Sequence, residues 1–272
     1  MEVKFYKYHG AGNDFIIIDD RGEPIKLSAD QVAALCHRRY GVGADGLILF
    51  QDFPPYDFRM KYYNSNGWEG SMCGNGGRCV IQFALDLRLI STNATFMASD
   101  GAHSAQCIGN EIKLQMQDAP KIELVDGNFF VNTGSPHVVI PVESPLKDYP
   151  VVVEGRSVRK SSYWGGQGGT NVNFVKLIDN RTVEVRTYER GVEDETFSCG
   201  TGAVATALTA NSLYSMPSPV SMETKGGKLT VYFERKSDGT FTDIYLLGPA
   251  KRVFTGIVEI KESFKVKDLA DV

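Results

Sequence analysis

One order of turns, strands and helix runs through this chain twice, and that repetition limits the folds open to it. In the first half, a weakly alternating run at residues 3–9 meets the glycine turn His9-Gly10-Ala11-Gly12-Asn13-Asp14, and residues 15–19 read as a buried strand. Ser28-Ala29-Asp30-Gln31 opens a short helix with a capping-box start, expected to end near Arg39. A glycine turn at 41–46, strand 47–50, an alternating run at 58–63 and the turn Asn64-Ser65-Asn66-Gly67 then lead toward Cys73. A helix follows, and after it three strands at 95–97, 102–108 and 111–116. The second half answers with 129–131, a turn at 134–136, strands 137–141, 172–177 and 183–189, a helix after Cys199, and strands 220–224, 228–233 and 241–247. Matching order over so long a stretch points to a duplicated unit. The expected fold is α/β of the α+β kind, with two pseudo-symmetric domains, each a curved, mostly antiparallel sheet around a central helix. Asp118-Ala119-Pro120 marks the crossing and Gly248-Pro249-Ala250 the return, which gives domains of 1–118 with 251–272, and 119–250. A strand at 253–260 and a charged tail are expected to close onto the first domain.

The two helices begin alike. Cys73-Gly74-Asn75-Gly76 and Cys199-Gly200-Thr201-Gly202 each run into an apolar segment, with Val80, Phe83, Ala84 and Leu87 keeping a helical period after the first. Each cysteine therefore falls at a helix N-terminus, where unpaired N–H groups and a partial positive charge favour an anion and lower a thiol pKa. Glycine there lets a ligand approach the backbone closely. One such thiol could be a nucleophile, a redox group or a base. Two suggest thiols facing one substrate carbon from opposite sides, one removing a proton and the other returning one, which inverts a stereocentre.

A chain of 272 residues has room for two domains. The net charge of −4, without a basic run, argues against a nucleic-acid partner. No apolar run is long enough for a membrane span, and the start shows no signal-peptide pattern. The five cysteines are sparse and lack a zinc-like CxxC pair, so no metal is expected and a reducing cytoplasm is the expected location.

With both cysteine motifs aligned to their strands, the sequence resembles the diaminopimelate epimerase family. The blocks His9-Gly10-Ala11-Gly12-Asn13-Asp14-Phe15, residues 72–79, and Tyr188-Glu189-Arg190-Gly191 followed by Ser198-Cys199-Gly200-Thr201-Gly202 carry the likeness. The resemblance implies a cofactor-independent isomerase that interconverts LL- and meso-diaminopimelate, a cytoplasmic homodimer feeding lysine and peptidoglycan synthesis. It implies Cys73 and Cys199 as acid/base residues, supported by His137 and Glu189. It also implies substrate contacts from Asn13, Asn64, Gly74, Asn75, Asn171, Glu189, Arg190, Gly200 and Thr201. Gly46 and Ser135 depart from the family pattern, where many members carry Gln and Asn, and they are left out of the site.

Each residue also has a plainer reading. A lone cysteine is more often a small buried hydrophobe, and Cys36, Cys79 and Cys107 are read that way. Arg190 could be a surface ion pair, although a planar guanidinium suits a carboxylate. Asn13, Asn64 and Asn171 could be turn residues, and His137 a structural histidine. Two other activities remain open at this point. A proline or hydroxyproline racemase on the same fold also uses two cysteines, but its first motif usually has His where this chain has Asn75. A thiol–disulfide oxidoreductase using Cys73 and Cys199 is the third.

Overall fold

The computed structural model describes residues 1–70 and 72–261; the expected charged tail lies outside them. They form two compact units, Met1–Leu114 with the chain from Ala250 onward, and Gln115–Pro249.

In the first unit, β1 (Glu2–Gly10) and β2 (Asn13–Asp19) form an antiparallel hairpin. Its two turn residues, Ala11 and Gly12, both have positive φ, at 50° and 84°, the geometry that matches strand twist. After α1 (Ala29–Cys36) come β3 (Gly46–Gln51), parallel to β2, and β4 (Phe58–Asn64), antiparallel to β3. Helix α2 (Gly74–Asp86) leads to β5 (Asn93–Ala98), parallel to β4. Then β6 (Gly101–Ile108) and β7 (Glu111–Gln115) add antiparallel. The last strand, Lys251–Glu259, lies antiparallel to β1, pairing Glu2 with Glu259 and His9 with Lys251.

The second unit begins with the hairpin β8 (Glu123–Val125) and β9 (Asn128–Asn132). Next, β10 (Pro136–Pro141) lies antiparallel to β9. Helices α3 (Val151–Arg159) and α4 (Ser162–Gly165) precede β11 (Asn171–Leu177), which is parallel to β10. Antiparallel to β11 runs β12 (Thr182–Glu189), followed by the short β13 (Asp194–Thr196). Helix α5 (Gly200–Tyr214) leads to β14 (Val220–Thr224), parallel to β12. The antiparallel β15 (Gly227–Arg235) and β16 (Phe241–Pro249) complete the unit. From β1 to β7 and from β9 to β16, setting β13 aside, the pairings follow the same order of antiparallel and parallel. This is the fold expected from the repeat. The registers agree too: Phe15 faces Gly46 in one unit, and His137 faces Asn171 in the other.

Local sequence accounts for most element ends. Ser28 and Gln31 close the capping box, at 3.2 Å from the Gln31 N–H to Ser28 Oγ and 2.9 Å from the Ser28 N–H to Gln31 Oε1. Helix α1 stops at Cys36 rather than near Arg39, because His37 turns extended and its Nδ1 accepts the N–H groups of Arg39 and Tyr40, both at 3.2 Å. Helix α3 has no counterpart in the expected element order; Val151, Val152 and Val153 are consecutive and β-branched and show no helical period. Trp164, next to it, is core, its ring 5.0 Å from Phe130, whereas Trp68 is exposed.

Both central helices are buried nearly all round, as expected of the apolar runs after each cysteine. Phe83 of α2 packs 5.2 Å from Phe50, within a set completed by Phe58 and Phe96. Helix α5 is built largely of Gly and Ala on its buried positions, with Val204 and Leu208 between them. Burial of each such large apolar side chain contributes about 1.5–3 kcal/mol. The apolar contacts fix where each helix begins, and therefore where each cysteine sits. No helix among the described residues is long and apolar enough to cross a membrane.

Candidate active site

In the first unit Cys73 is the N-cap of α2 and is half-buried, with extended backbone (φ −103°, ψ 120°). Its carbonyl accepts the Gly77 N–H at 2.7 Å, and its Sγ donates to Asn13 Oδ1 at 3.7 Å. The same oxygen accepts from Asn75 Nδ2 at 3.3 Å. Asn13 Nδ2 donates to Asp45 Oδ2 at 2.5 Å, which fixes the amide with its oxygen toward the thiol. Asp45 in turn belongs to a charged cluster. Arg38 bridges Asp14 and Asp45 at 2.7 and 2.6 Å, and Lys7, almost fully buried, meets Asp14 at 2.7 Å. Burial alone would raise Asp14, but hydrogen bonds from Arg38 and Lys7 outweigh it and hold the carboxyl down at about 2. Asp45 moves the other way, pushed up by burial and by the neighbouring Asp14 charge.

Beneath this layer lies Arg78, with no exposed surface. Its guanidinium donates to Asn75 Oδ1 at 2.7 Å and to the Gly74 carbonyl at 3.3 Å, while Nε is buried without a partner. Among the described residues no carboxylate pairs with it, and burial lowers its pKa. Gly10 of β1 permits this packing, because a Cβ there would come within 2.9 Å of the Asn75 carbonyl. Asn64 ends β4 in the turn closed by Gly67, and the side chain that caps this turn is Asn66, whose Oδ1 accepts the Trp68 N–H at 3.1 Å. Gly46 has no room for a longer side chain, since a Cβ would lie 2.5 Å from the Tyr62 ring.

In the second unit Cys199 is the N-cap of α5, again half-buried and extended (φ −120°, ψ 119°). Its Sγ accepts the Gly202 N–H at 3.4 Å and lies 3.5 Å from Thr201 Oγ1. Thr201 Oγ1 is also 2.8 Å from Nε2 of His137, which is wholly buried. Burial, helped by the Arg190 charge, pulls His137 down to about 3, so the ring is neutral near pH 7. Asn173 lies 3.1 Å from His137 Nδ1. Asn171 uses its amide within the unit: Nδ2 donates to Ser135 Oγ and the Pro136 carbonyl, both at 2.9 Å, and Oδ1 accepts the Arg190 N–H at 2.9 Å. Ser135 is thus a support for Asn171. Glu189, one residue beyond the Val172–Tyr188 pair, accepts from Thr196 at 2.9 Å. Arg190 is exposed, and no carboxylate among the described residues pairs with its guanidinium.

The structure therefore gathers Asn13, Cys73, Gly74 and Asn75 at one helix start, with Asn64 apart from them at the turn that ends β4. At the other it gathers His137, Cys199, Gly200 and Thr201, with Asn171 beside His137 in the neighbouring strand and joined to the Arg190 N–H, while Glu189 accepts from Thr196. The residues that sequence reading missed are Asp45, Arg78 and Asn173, the last with the Thr187 hydroxyl on its Oδ1 at 2.9 Å. A signal existed for two of them: Arg78 is a charge inside an apolar helix, and Asn173 is a polar residue inside an apolar strand, on the face of Asn171. The other three cysteines lack the setting of a reactive thiol. Burial pushes Cys36 up to about 12 and raises Cys79 and Cys107, so all three stay protonated. No group of three metal-ligating side chains is present among the described residues.

Duplicated sheets, each with a glycine-started helix capped by a cysteine, in a chain matched by epimerases along nearly its whole length, make this an isomerase of the epimerase class. The fold agrees: the structure of a hydroxyproline epimerase from Agrobacterium vitis superposes with a TM-score of 0.72 over 97% of this chain and 94% of that one, at 13% identity. At the level of sequence, the diaminopimelate epimerase family model matches residues 5–121 and 129–253, and the chain belongs to that family. A diaminopimelate epimerase from Flavobacterium psychrophilum is 46% identical over 93% of this chain and 98% of its own length. One from Chlorobaculum tepidum is 41% identical over 92% and 99%.

Proposed function

We propose that the chain interconverts LL- and meso-2,6-diaminopimelate by a two-base proton transfer, with Cys73 and Cys199 as the acid/base pair. The observation that carries this reading is the matched N-cap position of the two cysteines in a chain that meets the family over nearly all its length. One thiolate removes the α-proton. Negative charge builds toward the α-carboxylate, where the first-turn N–H groups of the two helices, at Gly74, Asn75, Gly200 and Thr201, stabilise it. The thiol on the opposite face then delivers its proton to the carbon, so one C–H bond breaks and another forms with inversion. Arg190 grips the distal carboxylate through two oxygens, Asn13, Asn64, Asn171 and Glu189 orient the polar groups, and His137 and Glu189 support the thiols. The same reading makes the protein a cytoplasmic homodimer in lysine and peptidoglycan precursor synthesis.

The test is purified protein on LL-diaminopimelate in deuterated water, with reductant and no added cofactor. Early product should be the meso isomer carrying one α-deuterium, with little label in recovered substrate. Label mainly in substrate would point to a single base. Turnover of proline in preference would move the chain to the racemases of this fold, and loss of activity on adding reductant would favour redox chemistry. Cys73→Ala and Cys199→Ala should each lower kcat at least about 100-fold, the scale of a lost acid/base group, with the melting temperature retained.

A further inference from the structure

Asn173 sits in the middle of β11 with no exposed surface, and nothing in the reading of the site above needs it. Its hydrogen bonds have a forced polarity. The Val138 carbonyl, 3.0 Å from Nδ2, can only accept, so the atom facing it must be the NH2 group. The second hydrogen of that group points to His137 Nδ1 at 3.1 Å, and Nδ1 must therefore be the bare nitrogen. On the other side Asn173 Oδ1 accepts from the Thr187 hydroxyl at 2.9 Å. A neutral imidazole with Nδ1 bare carries its proton on Nε2, and that proton goes to Thr201 Oγ1 at 2.8 Å. The Thr201 hydroxyl then has its own hydrogen left to give, and Cys199 Sγ lies 3.5 Å away. Gly202 belongs to the same arrangement: a Cβ there would come within 2.5 Å of Asn173 Oδ1.

We propose that Asn173 is a positioning residue for Cys199: it sets the tautomer of His137, so that the buried chain Asn173–His137–Thr201 ends as a hydrogen-bond donor on the Cys199 sulfur and favours its thiolate. The Gly202 N–H donates to the same sulfur, and both hydrogen bonds stabilise the charged form. Burial keeps His137 neutral, so the chain holds its direction through the physiological pH range. Around α5, which itself carries only Tyr214 at its far end, β9 has no titratable side chain, β10 has His137, β11 has Lys176, and β12 has Glu184, Arg186, Tyr188 and Glu189, with Arg190 just past its end. The strands after the helix bring Glu223 of β14, Lys228, Tyr232, Glu234 and Arg235 of β15, and Asp243 and Tyr245 of β16. Glu195 of β13 is engaged by Arg186 and Lys225.

The proposal rests on Cys199 being one of the acid/base thiols, but its test needs no substrate. Iodoacetamide labelling of Cys199 is followed by peptide mass spectrometry across pH, with Cys73 read in the same sample. Asn173→Asp replaces the donor by an acceptor, turns the His137 proton to Nδ1 and withdraws the Thr201 hydrogen from sulfur. Labelling of Cys199 near pH 7 should fall about tenfold, equivalent to one pKa unit. Thr201→Val, which removes the last link, should give the same fall, and Thr201→Ser should restore it. The 15N spectrum of His137 should show the Nε2–H tautomer in the wild type and its loss in Asn173→Asp. Unchanged Cys199 labelling in folded Thr201→Val, or an Nδ1–H imidazole in the wild type, overturns the proposal, and the Thr201 pair decides it if Asn173→Asp does not fold. A labelling shift as expected in a chain that does not turn over diaminopimelate would sink the activity and leave this chain of hydrogen bonds standing.

Discussion

Asp45 holds the side-chain nitrogen of Asn13 at 2.5 Å, and so turns the Asn13 oxygen toward the Cys73 thiol. An amide has two nearly isosteric ends, and without this carboxylate either could face the sulfur. In Asp45→Asn that preference is weakened, and kcat/KM should fall about tenfold, the cost of one misplaced hydrogen bond near 1.4 kcal/mol. Because burial and Asp14 push Asp45 up, protonation of Asp45 should contribute an acid limb above the ordinary carboxylate range in the wild type. A pH–rate profile of Asp45→Asn that keeps this limb would detach Asp45 from the site.

Arg78 is a buried cation that pairs with no carboxylate among the described residues, an arrangement that costs stability rather than adding to it. Its return is the grip on Asn75 Oδ1 and the Gly74 carbonyl at the start of α2. Arg78→Met, similar in length and neutral, should leave the melting temperature within a few degrees of the wild type and yet lower kcat/KM by about tenfold or more. A large drop in melting temperature with full activity per folded molecule would make Arg78 a structural residue only.

His137 gives the protein a pH-dependent stability of predictable sign. Its pKa is about 3 when folded and 6.5 when exposed, so the unfolded chain takes up a proton that the folded chain refuses. The contribution is complete above pH 6.5 and is lost as pH falls from there toward 3, at about 1.4 kcal/mol per pH unit for one proton. Urea unfolding of His137→Gln should lack this slope. The separate loss from Asp14, in the window from 3.8 down to about 2, should remain.

Arg190 presents its guanidinium to solvent and pairs with no carboxylate among the described residues. A lysine there keeps the charge but not the two parallel donors. Arg190→Lys should raise KM for diaminopimelate about tenfold and change kcat less, as measured by steady-state kinetics. A fall in kcat at unchanged KM would place Arg190 at the reacting carbon instead.

The sequence by itself determined the repeat, the order of strands, the glycine turns and the placing of Cys73 and Cys199 at helix starts. Each of these is written in local chemistry: a period of two or 3.6, a glycine where φ is positive, a capping serine before Gln31. Two local features were not announced by the pattern: helix α1 ends at Cys36 because the His37 ring captures two N–H groups just beyond it, and α3 has no apolar period. Two things were decided only by tertiary structure. Asp45 comes to Cys73 from the loop before β3, through Asn13. The amide of Asn173 reaches His137 only because β10 and β11 lie side by side in parallel, in the register that pairs Val139 with Asn173. Polar contacts between residues distant along the chain depend on strand register and on burial, and neither has a local signature. That is why the sequence could name the two sulfur atoms, Asn13 and His137, but not Asp45 and Asn173, which hold those two side chains.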